Sequence, residues 1–309
     1  MEIIKGIENL KRPFRNPIVT LGNFDGIHLG HQRIFEKVKE EARRLAGESV
    51  VITFEPHPLK ILSPEQCPPL LTPFKKKMLL MEKTGVEKVL CIQFTKAFSE
   101  ISPVEFVKSV LAGKLDAKKI IVGYNYRFGR GKSGNAQSLK ENGSRLGIEV
   151  EVVEALTIDD TIVSSSKIRE FIRDGKVERA SKLLGRDYPV MGQVIQGIRR
   201  GRRLGFPTAN LEITEEMYPK PGVYAVNMEW HEKLWQGLAN IGFNPTFDGK
   251  RLTLEVHILN FDHEIYGEEI QVSFIRRLRD EIRFHSQQEL IRQIQKDIEW
   301  VKTNVFRDQ

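Results

Sequence analysis

Near residue 186 the hydrophobic pattern of this chain changes its period, and that change limits the possible folds more than any single motif does. Before it, short runs rich in Val and Ile, at residues 18–24, 50–54, 89–94, 119–123 and 148–153, alternate with stretches of helical spacing. Ile34, Val38, Ala42 and Leu45 share one helix face. Thr72-Pro73 and Ser102-Pro103-Val104-Glu105 each read as an N-cap followed by proline at the first helical position, the second also as a capping box. Strands alternating with helices predict an α/β domain, a parallel sheet covered on both faces that takes ligands beyond the carboxyl ends of its strands. After the change, strand-length segments at 190–196, 222–229, 234–241, 252–260 and 269–275 are separated by Gly, Pro, Asn and Asp turns, with no helix between them. These predict a small antiparallel barrel or sandwich. One helix closes the chain, opened by the capping box Ser286-Gln287-Gln288-Glu289 and carrying Leu290, Ile291, Ile294, Ile298 and Val301 on one face. The reading is two domains, 1–186 and 187–309, divided just past a helical stretch at 166–184.

Composition removes several classes of function. With 40% hydrophobic and 29% charged residues the chain is globular rather than disordered. No apolar run approaches the ~18–20 residues that span a bilayer, and the mixed, charged N-terminus lacks a signal-peptide core, so a cytoplasmic protein without membrane attachment is expected. Cys67 and Cys91 are too few for a disulfide framework or a thiolate zinc site and read as ordinary packing. The net charge of +7 calls for an anionic partner. Residues 1–186 hold 32 basic against 23 acidic side chains and residues 187–309 hold 16 against 18, so the excess belongs to the first domain. The densest basic run, Arg199, Arg200, Arg202 and Arg203, lies in a glycine-punctuated loop, which suits phosphate contact or solvation better than a nucleic-acid groove. Nucleic acid is not the expected partner, and the oligomeric state is not legible.

The most informative stretch is Gly22-Asn-Phe-Asp-Gly-Ile-His-Leu-Gly-His31, which leaves a hydrophobic strand and enters a helix. Its glycines let a phosphate approach the backbone, N–H groups at the helix start attract anions, and His28 and His31 can donate to a phosphate whose charge is growing. The two histidines also have two other readings, as metal ligands or as satisfied loop residues. Thr53-Phe-Glu-Pro-His-Pro58 follows a strand, as a nucleotide-facing loop would, although His57 between prolines also suits a turn. Ser164-Ser-Ser-Lys-Ile-Arg169 offers hydroxyls and cations at a helix start, either as a phosphate cradle or as an N-cap. Gly129-Arg-Gly131-Lys-Ser-Gly134 matches the dinucleotide fingerprint but begins six residues after the strand end, and Tyr126 stands where a phosphate loop needs glycine; it reads as a mobile loop or a nucleotide contact. In the second half, Gly192, Gly197, Gly201 and Gly205 surround the arginines and lead into Phe206-Pro-Thr-Ala-Asn210, where flexible glycines suit a flap over phosphates and Thr208 and Asn210 offer hard oxygens to Mg²⁺. A structural proline turn is the alternative. Glu255, in the alternating run 252–259, is a carboxylate on a strand face that can accept a hydroxyl proton.

In order, these motifs resemble the bacterial bifunctional riboflavin kinase/FMN adenylyltransferase family, also called FAD synthetase, over essentially the whole chain. Gly22 to His31 resembles the family's HxGH nucleotidyltransferase signature, and the segments 53–58, 123–129 and 164–169 resemble its later adenylyltransferase motifs. Residues 205–210, 221–224, 240–246, 255–259 and 278–284 resemble the riboflavin kinase module. The resemblance implies a Rossmann-like nucleotidyltransferase domain followed by a six-stranded barrel with a C-terminal helix, ATP and Mg²⁺ as co-substrate and cofactor, and riboflavin, FMN and FAD as substrates and products. It implies catalytic roles for His28, His31 and Glu255. Nucleotide or phosphate contacts fall to Gly22, Phe24, Asp25, Gly30, Asn125, Ser164, Ser165, Arg169, Gly197, Arg202, Gly205, Thr208 and Asn210. Thr208 and Asn210 take Mg²⁺, while Arg279 and Glu281 lie on the flavin side. Many members carry a basic residue just before the serine motif, where this chain has Asp159-Asp-Thr-Ile-Val163. Two alternatives stand beside it: a single-activity nucleotidyltransferase with a non-catalytic barrel, and a basic nucleic-acid-binding protein.

Overall fold

The computed structural model describes residues 1–10, 12–197, 200–213, 216–246 and 249–306. The chain divides into two units, Met1–Ser164 and Ser165–Gln309.

In the first unit β1 (Glu2–Lys5), β2 (Ile18–Leu21), β3 (Ser49–Glu55), β4 (Lys88–Gln93) and β5 (Lys119–Gly123) precede a short hairpin, β6 (Arg127–Phe128) and β7 (Gly134–Asn135), and then β8 (Glu149–Val153). Six of these form a wholly parallel sheet in the order β1-β4-β3-β2-β5-β8. The four residues of β2 are all buried, as a central parallel strand requires. Its side chains alternate between faces: Val19 and Leu21 join one core with Val50, Ile52, Ile120 and Val122, whereas Ile18 joins Ile121, Val153 and the stripe Ile34, Val38, Ala42 of helix α1 (Leu29–Arg44). The connections run outward from β2 through β3 to β4 and then cross back to β5, so the sheet reverses direction between β2 and β5. A ligand crevice opens at such a reversal.

Four details of this unit differ from the sequence reading. Strand β1 pairs with β4 although its four residues are mostly exposed and half of them charged, too little pattern for periodicity to detect. After the short helix α2 (Pro58–Leu62), Thr72 does not cap α3 (Phe74–Lys83): Pro73 holds that position, and the Thr72 hydroxyl donates to Asp25 and accepts from the Gly26 N–H instead. Past α4 (Lys96–Ser99), Ser102 does cap α5 (Pro103–Glu105), but the helix continues with π-type bonding over Phe106–Lys114. The glycine segment at 129–134 closes the β6–β7 hairpin and leads into α6 (Ala136–Ser144), whose Asn135 forms a capping box with Ser138; a Cβ at Gly129 would stand 2.7 Å from Pro103, whereas one at Gly131 would meet nothing within 4 Å. A last hairpin, β9 (Thr157–Ile158) and β10 (Thr161–Ile162), turns through Asp159 and Asp160, both at positive φ.

The second unit begins with two helices, α7 (Ser165–Arg173) and α8 (Val177–Leu184), rather than one stretch, because Asp174-Gly175-Lys176 interrupts them and Gly175 has φ of 77°. Strands β11 (Tyr188–Ile195), β12 (Ala209–Ile213), β13 (Gly222–Trp230), β14 (Lys233–Thr246), β15 (Gly249–Ile258) and β16 (Glu269–Arg279) close an antiparallel barrel in the order β11-β12-β15-β14-β13-β16. The strand that periodicity did not mark is β12, hidden behind the proline of the 205–210 segment. A helical turn, α9 (Arg200–Arg203), also stands between β11 and β12, where no helix was expected. The closing helix α10 (Gln287–Asn304) is capped by the Ser286 hydroxyl and buries Val301 against Val223, Ala225 and Leu238.

Helix α8 lies against β11 and β16, Arg277 crosses Gly175 where a Cβ would stand 2.7 Å from it, and the Lys220 N–H donates to the Ile172 carbonyl. A fragment 165–309 should therefore be more stable than 187–309. Losing the cover of two or three aliphatic side chains at about 1.5–3 kcal/mol each corresponds to a melting temperature lower by roughly 10–35 °C. Thermal unfolding of both fragments by circular dichroism checks this; equal melting temperatures would show that the helical hairpin is dispensable.

Candidate active sites

At the reversal point the loop after β2 is held from beneath. Gly22 ends the strand with its N–H on the Ile52 carbonyl, and Phe24 is a buried wedge, its ring meeting the edges of His31 and Phe35 at 5.2 and 4.8 Å. Asp25 is buried, and its two oxygens accept from the Leu71 N–H, the Thr72 N–H and the Thr72 hydroxyl, each at 3.0 Å. The carboxylate expected on the phosphate side therefore ties the loop to the segment before α3.

His28 is the N-cap of α1: its Nδ1 accepts from the His31 N–H at 3.3 Å, so in the neutral ring the proton sits on Nε2. The His28 and His31 rings stack with centroids 3.5 Å apart. Gly30 permits this, since a Cβ there would come within 3.2 Å of the His28 ring and 3.9 Å of Val163, just before Ser164. Asn125 follows β5 across the reversal from β2 and lines an open cavity of about 460 Å³ with Tyr124, Arg127, Gln137 and Lys140. His57 caps α2 through Nδ1 and bonds Asn23 at 3.0 Å through Nε2, so its turn role and its place beside the loop coexist. Ser165 and Arg169 open α7 in the second unit, Arg169 buried and Ser164 the last residue of the first.

In the barrel, strand register assembles the second site. Asn210 of β12 and Asn240 of β14 both pair with Glu255 of β15, one from each side. Cross-strand partners face the same way, so the three polar side chains form a row between buried apolar neighbours such as Leu254 and Val256. With Thr208, Arg279, Glu281 and Asp297 they line a cavity of about 510 Å³ walled by Phe206, Ile282, Phe284, Leu290 and Ile294. Thr208 and Asn210 also face a neighbouring cavity of about 340 Å³, with Arg202, His263 and Tyr266. The backbone at Gly197 passes so close to the Asn210 amide that a Cβ would stand 2.4 Å from its nitrogen. Gly205, at φ 85°, completes the turn from α9. His257, two residues along from Glu255, bonds the Pro207 carbonyl at 2.8 Å and fixes the Thr208 segment against β15. Arg199 lies outside the described residues.

Arg279 is held rather than free. Its Nε and Nη2 bond the buried Asp297 of α10 at 3.0 and 2.7 Å, and Nη1 donates to the Asp280 carbonyl. Asn240 and Asp297 were missed as site residues. Asn240 opens a quoted motif, but only the register places it opposite Glu255. Among the described residues no group of three or more His, Cys, Asp or Glu side chains is arranged to hold a metal; the Thr208 hydroxyl and the Asn210 amide carry oxygens of the type a hard cation takes. Nor is any described helix long and apolar enough to cross a membrane.

Residues 11–167 match the family model described as FAD synthetase and residues 184–305 the one described as riboflavin kinase. Proteins called bifunctional riboflavin kinase/FMN adenylyltransferase are 39% identical in Buchnera aphidicola subsp. Schizaphis graminum, over 98% of both chains, and 36% identical in Escherichia coli strain K12, over 96% of both. A crystal structure described as a macrolide-efflux protein from Streptococcus pneumoniae is 34% identical and superposes with a TM-score of 0.90, covering 98% of this chain and 99% of its own.

Proposed function

The chain belongs to the bifunctional riboflavin kinase/FMN adenylyltransferase family, and from that premise we propose how its two halves divide the chemistry. It phosphorylates riboflavin with ATP to give FMN in the C-terminal domain and adenylylates FMN with ATP to give FAD in the N-terminal domain. The single-activity alternative falls with the riboflavin kinase match across the barrel.

The row Asn210, Glu255, Asn240 beside Thr208 is the observation that carries the kinase reading. We place the flavin in the cavity with the apolar wall, its ribityl chain directed at Glu255, and the nucleotide phosphates across the Thr208 to Asn210 segment under Gly197, Arg202 and Gly205. Glu255 orients the 5′-hydroxyl and takes its proton. Arg279, fixed by Asp297, and Glu281 border the flavin ring. Thr208 and Asn210 would hold Mg²⁺, which neutralises phosphate charge when bound.

In the first half, the Gly22 to His31 loop receives the triphosphate of a second ATP. His28 donates from Nε2, and His31 and Ser164 add donors to charge passing to pyrophosphate. Phe24 and Asp25 act by holding the loop. Asn125 reads the nucleotide at the carboxyl end of β5. Both reactions draw on ATP, which suits a cytoplasmic location with small molecules as partners. Incubating the purified protein with riboflavin, Mg²⁺ and ATP, and resolving products by chromatography, should show FMN followed by FAD; FAD without FMN-forming activity would overturn the division.

Neutral ligands leave Mg²⁺ its full charge for ATP. Thr208→Asp should therefore transfer phosphoryl more slowly than Thr208→Ala, by on the order of tenfold, because a carboxylate repels the phosphates. FMN adenylylation should not change. A Mg²⁺ titration of both variants checks this, and a Thr208→Asp protein equal to wild type at every concentration would remove Thr208 from the site.

A further inference from the structure

Beneath the Gly22 to His31 loop lies a charge that the mechanism above does not use. Lys77, on α3, is 6% exposed. Its Nζ donates to the Asn23 carbonyl at 3.3 Å and to Thr53 Oγ1 at 3.2 Å, and the Thr53 hydroxyl donates to the same carbonyl at 3.4 Å. One ammonium thus joins the loop after β2, the end of β3 and α3. It forms no direct ion pair with a carboxylate among the described residues, and Glu55 and Asp25 offset its charge only from a distance. The loop it grips is the one whose far end presents a helix N-terminus and two imidazoles, so an anion bound there would add to that partial compensation.

We propose that Lys77 is a positioning residue for adenylyl transfer: it locks the Asn23 carbonyl, and with it the loop, and sets a fixed positive charge behind the phosphates. This rests on the reading of that loop as the adenylyl-transfer site. Burial pulls the Lys77 pKa below the usual lysine range. The charged or titratable groups facing it are Glu55 from β3, Asp25 from the loop and Cys91 from β4, whose thiol burial pushes up, while Lys76 is buried beside it on α3. The ammonium is charged below its lowered pKa and neutral above it, so FAD formation should fall on the alkaline side.

The test follows FMN formation and FAD formation separately against pH in the full-length protein. Lys77→Met should lower kcat for FAD formation about 10–100-fold, the scale of a misplaced reacting group, and flatten its alkaline limb while FMN formation stays unchanged. Thr53→Val, which removes one acceptor from the ammonium, should move the limb to lower pH, and Cys91→Ala should leave it in place. A wild-type rate in Lys77→Met, or a reduced rate with the wild-type limb, overturns the proposal, the second because a smaller folded fraction would scale the profile without changing its shape. Loss of the limb in Cys91→Ala overturns it in favour of the thiol. If Lys77→Met does not fold, the Thr53→Val limb decides: moved supports, unmoved overturns. His28→Ala runs in parallel, and full FAD formation there would refute the site itself rather than the role of Lys77.

Discussion

Glu255→Gln should lower riboflavin phosphorylation by about 10²–10⁴-fold, the range a general base contributes, while FMN supplied to the same protein is converted to FAD at the wild-type rate. Glutamine keeps the length of the side chain and its place in the strand register between Asn210 and Asn240. What it removes is the proton acceptor, so the loss should fall on kcat with the riboflavin KM nearly constant. Steady-state rates with riboflavin and with FMN as alternative substrates separate the effects. An unchanged kcat would take Glu255 out of the proton transfer and leave the row as a binding feature only.

The second large effect is expected at His28. His28→Ala should reduce FAD formation by about 10²–10³-fold, as removal of a transition-state donor does, with FMN formation intact. Alanine also strips the cap from α1, which typically costs ~1 kcal/mol of stability. His28→Asp separates these roles, because its carboxylate can still accept the His31 N–H that Nδ1 accepts now and has no hydrogen to donate when ionised. Both variants should lose FAD formation, and only His28→Ala should melt lower. Retained FAD formation in His28→Asp would show that the imidazole works as a cap and not as a donor.

What could be read from the sequence was what depends on local pattern. The buried parallel strands β2 to β5 and β8 carry their own β-branched runs, and the motif order singled out Glu255, Thr208, Asn210 and the histidine pair as candidates. What could not be read depends on pairing across long separations. Asn240 looks like any strand asparagine until β14 and β15 are in register. Lys77 stands in the run Lys75-Lys76-Lys77, and nothing in one dimension separates the exposed Lys75 from its buried neighbours. Asp25 entered as a phosphate-side residue through the family motif; its engagement with Leu71 and Thr72, some 46 residues on, shows only in three dimensions. The break at Gly175 was legible as glycine, but helical spacing continues on both sides of it and masked the interruption.

The strand order also sets a timetable for synthesis. Glu2 pairs with Lys88 and Tyr188 with Phe274, each across 86 residues (88 − 2 and 274 − 188). At the ~5–20 residues per second of a ribosome, each of these strands waits roughly 4–17 s for its partner to be made. During that interval β1 is guarded by its charged ends, Glu2 and Lys5, whereas β11 exposes Tyr188, Val190 and Val194, side chains the finished barrel buries. The nascent kinase half is thus more exposed to aggregation than the nascent adenylyltransferase half, and its closure has to wait for β16, the last strand of the chain.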